Sequence, residues 1–409
     1  MLGMSMGIRI LRNFSQIATL DSAHKKDGRH LKPLDISLIN NGSIVHDEEK
    51  ILWVGADAEL PIEYADKEYI DYSNKVCTPE IVDAHTHLVF GGDRSHEYSM
   101  RLNGATYEEI AIAGGGILNT MTGTNNLSRN DLLKLAIDRA KQIHSYGVGT
   151  IEVKSGYGLN FDKEYELSRI IFDLKTILSP EIQIKNTFMA AHAIPKDFKD
   201  SYDYMKEVVL PLLDVLADDK ILDAVDIFHE QNYFSEDDVR SLFERANRLG
   251  IPVKMHADEF NDNNGASLAC SYNALSCDHL LKTSSSGIES LVKSNTVANL
   301  LPGTGLFLGK EKANARAMLD AGVKVAIASD YNPGSCHCDN VLLLASLAAP
   351  MYKMNLAEMW TAITLNASHA LGIRDQGAIV VGLKPRFSIF NTDSIDRITY
   401  NWGKNLALN

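Results

Sequence analysis

Val76-Cys77-Thr78-Pro79-Glu80-Ile81-Val82 runs directly into Asp83-Ala84-His85-Thr86-His87. The first part leans towards β structure, and its end reads as a short buried strand. Residues i and i+2 of a strand point to the same side, so His85 and His87 project together at the strand's end. Two imidazoles converging on one point suit a divalent cation. Taken alone, the pair equally fits one satisfied polar histidine beside one surface histidine. The remainder of the chain decides between these, because further candidate ligands recur just after later strand-like runs.

Working outward, apolar runs of strand length alternate with longer helical patterns. The runs fall at 81–84, 149–153, 182–188, 224–228, 252–255, 274–277, 296–300 and 323–328, with helical stretches such as 164–178, 237–249 and 310–321 between. Gly250 and Gly322 each close a helix just before the next strand, as glycines past a helix C-terminus do. Eight strands alternating with helices predict an α/β fold, a TIM-like (β/α)8 barrel. The competitor, a doubly wound open sheet, places a glycine-rich phosphate loop after its first strand. His-x-His occupies that position here.

Both chain ends are β-rich. Residues 36–40 and 43–46 flank Asn41-Gly42, a hairpin signal, and a third strand follows at 50–55. Residues 377–382 and 387–390 repeat the pattern. These segments are expected to form a small β-sandwich domain from 1–76 and 371–409, leaving 77–370 as the barrel.

Composition bounds the function. The chain has 409 residues, 45% of them hydrophobic, and a net charge of −13. That charge argues against a nucleic-acid or anionic-membrane partner. No apolar run reaches the roughly 18 residues a membrane span needs, and the N-terminus carries no signal-peptide pattern. The five cysteines lack disulfide-framework spacing, so a reducing cytoplasm is expected. In Cys336-His337-Cys338 three consecutive side chains cannot all face one ion in regular structure, and no role is assigned to them.

Barrel enzymes carry their reactive groups at the C-terminal ends of the strands. His85 and His87 follow the first strand, His192 the third, and His229 and Glu230 the fourth. His256 ends the fifth with Glu259 three residues on, His279 follows the sixth, and Asp330 follows the eighth. His85, His87, His256 and Asp330 offer three neutral nitrogens and one carboxylate, a set that suits a single cation able to lower the pKa of bound water to about 7. Asp330 could take a proton from that water, and His279 could hydrogen-bond the oxyanion that forms. His229 stands where a second metal would need a bridging group, so one metal is expected. Lys154 reads as a structural or pocket charge.

Several segments extend across the barrel in order: Asp83–Arg94, Gly114-Gly115-Gly116, Lys154-Ser155-Gly156-Tyr157-Gly158, Ala191-His192-Ala193, His256-Ala257-Asp258-Glu259, Asp278-His279-Leu280 and Asp330-Tyr331-Asn332-Pro333-Gly334-Ser335. On these the chain resembles the imidazolonepropionase family of metal-dependent amidohydrolases, which open the imidazolone ring in histidine degradation. The resemblance implies hydrolysis of 4-imidazolone-5-propanoate to N-formimidoyl-L-glutamate by an activated water, with one Zn2+ or Fe3+ per chain. It implies His85, His87, His256 and Asp330 as metal ligands. Arg94, assisted by Tyr107, would receive the substrate carboxylate, since a guanidinium fork matches it. Tyr157 and His192 would bind the ring and chain, and Glu259 would hydrogen-bond a ring nitrogen and pass it a proton. Asn332, Gly334 and Ser335 would line the substrate. The expected partner is a small molecule bearing a carboxylate, and a homodimer is left open. The rivals are another ring hydrolase or nucleobase deaminase, and a metal-binding scaffold without turnover.

Overall fold

A computed structural model describes residues 7–106, 109–110 and 115–408. Its eight barrel strands are Ile81–Asp83, Val148–Lys154, Gln183–Ala191, Ala224–His229, Met255–Ala257, Ser276–His279, Val297–Leu300 and Val325–Ile327. They pair in chain order and all in parallel. Nearly every residue in them is buried, as strands covered by crossover helices require. The ring closes just beyond the first and last strands. There Asp330 N–H donates to the His85 carbonyl (3.0 Å) and His87 N–H to the Tyr331 carbonyl (2.9 Å). Three candidate metal ligands, His85, His87 and Asp330, thus belong to the backbone seam itself.

The helices start and stop where their sequence says. Ser235 and Asp238 form a reciprocal cap on helix Glu236–Leu249, and Gly250 follows it with φ 71°. Gly322 ends helix Ala315–Ala321 with φ 86°. That helix is shorter than the expected 310–321, because Asn314 caps it, its side chain accepting from Ala317 N–H.

The chain ends contribute one seven-stranded mixed sheet rather than two facing sheets. Its order is Ala407–Leu408, Phe387–Phe390, Val76–Pro79, Arg9–Ala18, Leu38–His46 and Ile51–Ala56, with Ile70–Asp71 beside Arg9–Ala18. The opening run therefore serves both sheets: Val76–Pro79 pairs with the chain ends, and Ile81–Asp83 starts the barrel. Between them Glu80 accepts from Arg386 Nε (2.7 Å) and Thr150 Oγ1 (2.6 Å), tying the two sheets together.

The expected Asn41-Gly42 hairpin does not form. Leu38–His46 is a single strand paired along its length with Arg9–Ala18, which bulges between Leu11 and Phe14 to keep register. Asn41 spends its positive φ (49°) inside the strand. Gly42 is needed for packing, since a Cβ there would lie 2.6 Å from Ile17 Cδ1. The turn falls at Asp47, whose carboxylate accepts from Glu49 and Lys50 N–H, a side-chain-mimicked turn. Residues 377–382 also form no strand, although Ile379 N–H donates to the Thr19 carbonyl and Gly382 N–H to that of Ile51. No helix among the described residues is long and apolar enough to cross a membrane.

Candidate active site

The parallel strands deliver their terminal residues to one mouth. His85 and His87 leave the first strand on the same side, as the i, i+2 spacing requires. His85 Nε2 lies 3.4 Å and His87 Nε2 3.7 Å from the same Asp330 oxygen, Oδ1. The His256 ring is centred 4.5 Å from that of His85, and the His279 ring 5.1 Å from that of His256. Among the described residues three donor groups are compact enough to hold one ion, His85–His87–Asp330, His85–His256–His279 and His85–Glu152–Asp278, and His85 is common to all three. The four expected ligands thus converge without forming a single compact set, and His279 stands as near to His85 and His256 as a ligand would.

Electrostatics favours the neutral, ligating form of these imidazoles. Burial, followed by neighbouring cations, holds His85 and His87 well below the usual histidine range. The buried Nε2 atoms of His85 and His256 meet no hydrogen-bonding protein group, and burying polar atoms unsatisfied is costly. A cation among them would take up both lone pairs, so the donor set fits a metal cofactor. Asp330 accepts from Thr304 Oγ1 (2.6 Å), and burial raises its carboxyl to about 6. Asp330 and His279 both adopt left-handed φ, 52° and 79°, a conformation that non-glycine residues hold at a cost and that concentrates at functional sites.

Around this centre sit the other expected residues. Glu259 Oε2 lies 3.7 Å from His279 Nε2, and burial pushes its carboxyl up to about 7. His192 stacks on His87 with centroids 4.9 Å apart, and its Nδ1 is 3.1 Å from the Gly156 carbonyl. Burial takes His192 down to about 3, which leaves it neutral. The buried Tyr157 ring is centred 5.8 Å from His87 and 5.5 Å from His192.

Arg94 immediately precedes helix Ser95–Leu102 and donates Nε–H to Glu97 (2.9 Å). Glu97 in turn accepts from Gly116 N–H and Asn119 Nδ2, both at 3.1 Å. One carboxylate therefore aims the guanidinium and secures the glycine segment. Tyr107 and Gly114 lie outside the described residues. Asn332 is turned inward: its amide donates to the Asp330 carbonyl and Ser335 Oγ and accepts from Gly334 and Ser335 N–H. It shapes the loop carrying Gly334 and Ser335 and spends its own polar atoms doing so.

Other candidates are placed elsewhere. His229 Nδ1 bonds the Phe234 carbonyl (2.9 Å), and Glu230 accepts from Phe260 N–H, Asn261 and Asn263, bracing the loop after the fifth strand. Among the described residues, Cys336, His337 and Cys338 join no potential metal group. Central here are Lys154, expected as a structural or pocket charge, and Glu152, Asp226, Lys254 and Asp278, for which no role was expected; all five are fully buried beneath the histidines. Their available signal was charge at i, i+2 within apolar strands, in Glu152/Lys154 and Lys254/His256, where burial demands a partner.

A model of the amidohydrolase family matches residues 76–406. The chain is 38% identical over 370 residues to the imidazolonepropionase of Paracoccus denitrificans (strain Pd 1222), covering 90% of this chain and 92% of that one. It is 37% identical over 406 residues to the imidazolonepropionase of Fusobacterium nucleatum subsp. nucleatum, covering 97% and 95%. Among solved structures, atrazine chlorohydrolase from Arthrobacter aurescens TC1, complexed with zinc, superposes with a TM-score of 0.74 at 15% identity over 97% of this chain and 92% of that one. Guanine deaminase from C. acetobutylicum, with bound guanine, gives 0.68 at 16% over 98% of each. At such identities the solved structures speak to the fold alone.

Proposed function

The chain belongs to the amidohydrolase family, and from that premise we propose that it hydrolyses the cyclic-amide C–N bond of 4-imidazolone-5-propanoate to N-formimidoyl-L-glutamate, a step of histidine degradation. Likeness to imidazolonepropionases over nine-tenths of the chain supports the substrate. The observation that carries the chemistry is the pair of buried, unsatisfied imidazole nitrogens, His85 Nε2 and His256 Nε2, beside Asp330.

In this reading His85, His87, His256 and Asp330 hold one Zn2+ or Fe3+. When bound, the cation supplies an acidified water and a polarised ring carbonyl. Arg94 receives the propanoate carboxylate, which fixes the ring's distance from the strand ends. Tyr157 and His192 flank the ring. Asp330, its carboxyl raised towards neutrality, accepts the proton of the attacking water. His279 donates a hydrogen bond to the carbonyl oxygen as charge develops on it. Glu259, its carboxyl raised by burial to about 7, gives its proton to the departing ring nitrogen. Burial of the histidines and Asp330 keeps bulk water from competing.

The test follows imidazolone absorbance with the full-length chain, metal-replete and chelated. The expected outcome is decay with the metal-replete protein only and formation of formimidoyl-glutamate. Unchanged absorbance with metal-replete, folded protein would overturn the substrate assignment.

A further inference from the structure

Beneath the histidines the barrel interior holds a layer of charge completely removed from solvent. Lys154 Nζ lies 2.7 Å from Asp226 and 2.8 Å from Glu152. Lys254 Nζ donates to Glu152 (2.7 Å) and to the Ala84 carbonyl (3.1 Å), next to His85 in sequence. Both ammonium groups lie 3.9 Å from Asp278 Oδ2.

The layer touches the candidate ligands at two atoms. Asp278 Oδ2 hydrogen-bonds His85 Nδ1 at 2.5 Å, and Asp226 Oδ2 lies 3.1 Å from His256 Nδ1, close enough to favour the proton there by charge although not aligned as a hydrogen bond. An ionised carboxylate only accepts, so each places the imidazole proton on Nδ1 and leaves the Nε2 lone pair facing the centre. His87 differs: among the described residues its only carboxylate neighbour is Asp330, at Nε2, its Nδ1 faces none, and its ring rests on His192.

We propose that Asp278 and Asp226 are positioning residues that set the tautomer and direction of His85 and His256, with Lys154 and Lys254 holding the two carboxylates in place. His87 has no such support and is the weaker ligand of the three. This rests on the reading of His85 and His256 as metal ligands. Partners of this kind orient the ring and raise its basicity, and their loss typically weakens metal binding by about 10–100-fold.

The experiment strips the full-length chain of metal, reloads it with Zn2+ and measures affinity by competition with a chromophoric chelator. Asp278→Asn and Asp226→Asn should each raise the Zn2+ Kd by about 10–100-fold and shift the visible spectrum of the Co2+-loaded protein. Asp223→Asn is the control, because Asp223 pairs with Lys175 and Lys185 and bonds no histidine; it should change neither readout. If an Asn variant does not fold, Asp278→Glu or Asp226→Glu replaces it, keeping the charge but moving the oxygen, with the same loss expected. A native chain without tight Zn2+ binding would sink the ligand reading itself. A native chain that binds Zn2+, beside folded Asp variants with unchanged Kd and spectrum, would leave that reading intact and overturn this inference.

Discussion

The guanidinium of Arg94 occupies the space that a side chain at Gly334 would need: a Cβ there would lie 1.9 Å from Arg94 Nη1. Gly334 does not use a left-handed φ, so an alanine would meet no backbone penalty, only this contact. Gly334→Ala should therefore displace the guanidinium while sparing the strand-end histidines. A charge-assisted hydrogen bond to a carboxylate is worth about 1.5–3 kcal/mol, roughly 10- to 150-fold in binding. The expected result is a KM raised by that factor with kcat little changed, the signature of lost uniform binding. Steady-state kinetics on the imidazolone checks it, and a native KM would remove Arg94 as the carboxylate anchor and favour a neutral ring as substrate.

His85 is shared by all three compact donor groups, whereas His87 belongs to one. His85→Ala should therefore abolish stoichiometric metal binding, a greater loss than the roughly 10–100-fold expected from an outer partner, while His87→Ala should retain a weakened site. Elemental analysis after dialysis reads this directly. Equal metal retention in the two variants would contradict the shared role.

Much of this arrangement was legible in the sequence. The eight barrel strands announced themselves by length, apolarity and alternation with helices, and Gly250 and Gly322 marked helix ends that the structure places at φ 71° and 86°. The convergence of His85, His87, His256 and Asp330 followed from parallel strands ending on one side. Asn41-Gly42 misled because a left-handed φ serves a strand kink as well as a turn, and only the pairing with Arg9–Ala18 separates them. Apart from Lys154, read as a structural or pocket charge, the charged layer escaped for a related reason. Each of Glu152, Lys154, Asp226, Lys254 and Asp278 is an ordinary residue in its own strand, and their meaning lies in contacts between distant positions, such as Lys154 with Asp226, 72 residues apart, and Lys254 with Glu152, 102 apart. Asn332 shows the converse: its motif suggested a substrate contact, but its amide is consumed by its own loop.

Lys154 tests how far the barrel depends on that layer. It neutralises Asp226 and Glu152 where no water reaches. Lys154→Met leaves two buried carboxylates short of a cation, and breaking a buried pair from one side costs about 3–5 kcal/mol. Urea unfolding of the metal-free protein should show a loss of that size, with a smaller loss when Asp226→Asn accompanies it, because the double change removes both members of the pair. A single variant as stable as the native chain would show that Lys154 adds no stability to the barrel interior.

Glu259 should set the alkaline limb of the reaction. Burial, reinforced by the Asp330 charge, raises its carboxyl to about 7, against the partial relief that Lys310 provides. A carboxyl with a raised pKa keeps its proton up to that pH and loses it above. If the proton goes to the departing nitrogen, kcat/KM should fall as pH rises through about 7, since that profile reports groups of the free enzyme. Glu259→Gln keeps the shape and a hydrogen-bond donor but has no proton to give. It should be slower by about 10²–10⁴-fold, the usual contribution of a general acid, and should lack the falling limb. His279, 3.7 Å away, stays neutral through this range because burial holds it well below the usual histidine range, so it cannot supply a substitute limb. A Gln variant that retains the native descent would assign the titration to another group and leave Glu259 with ring binding alone.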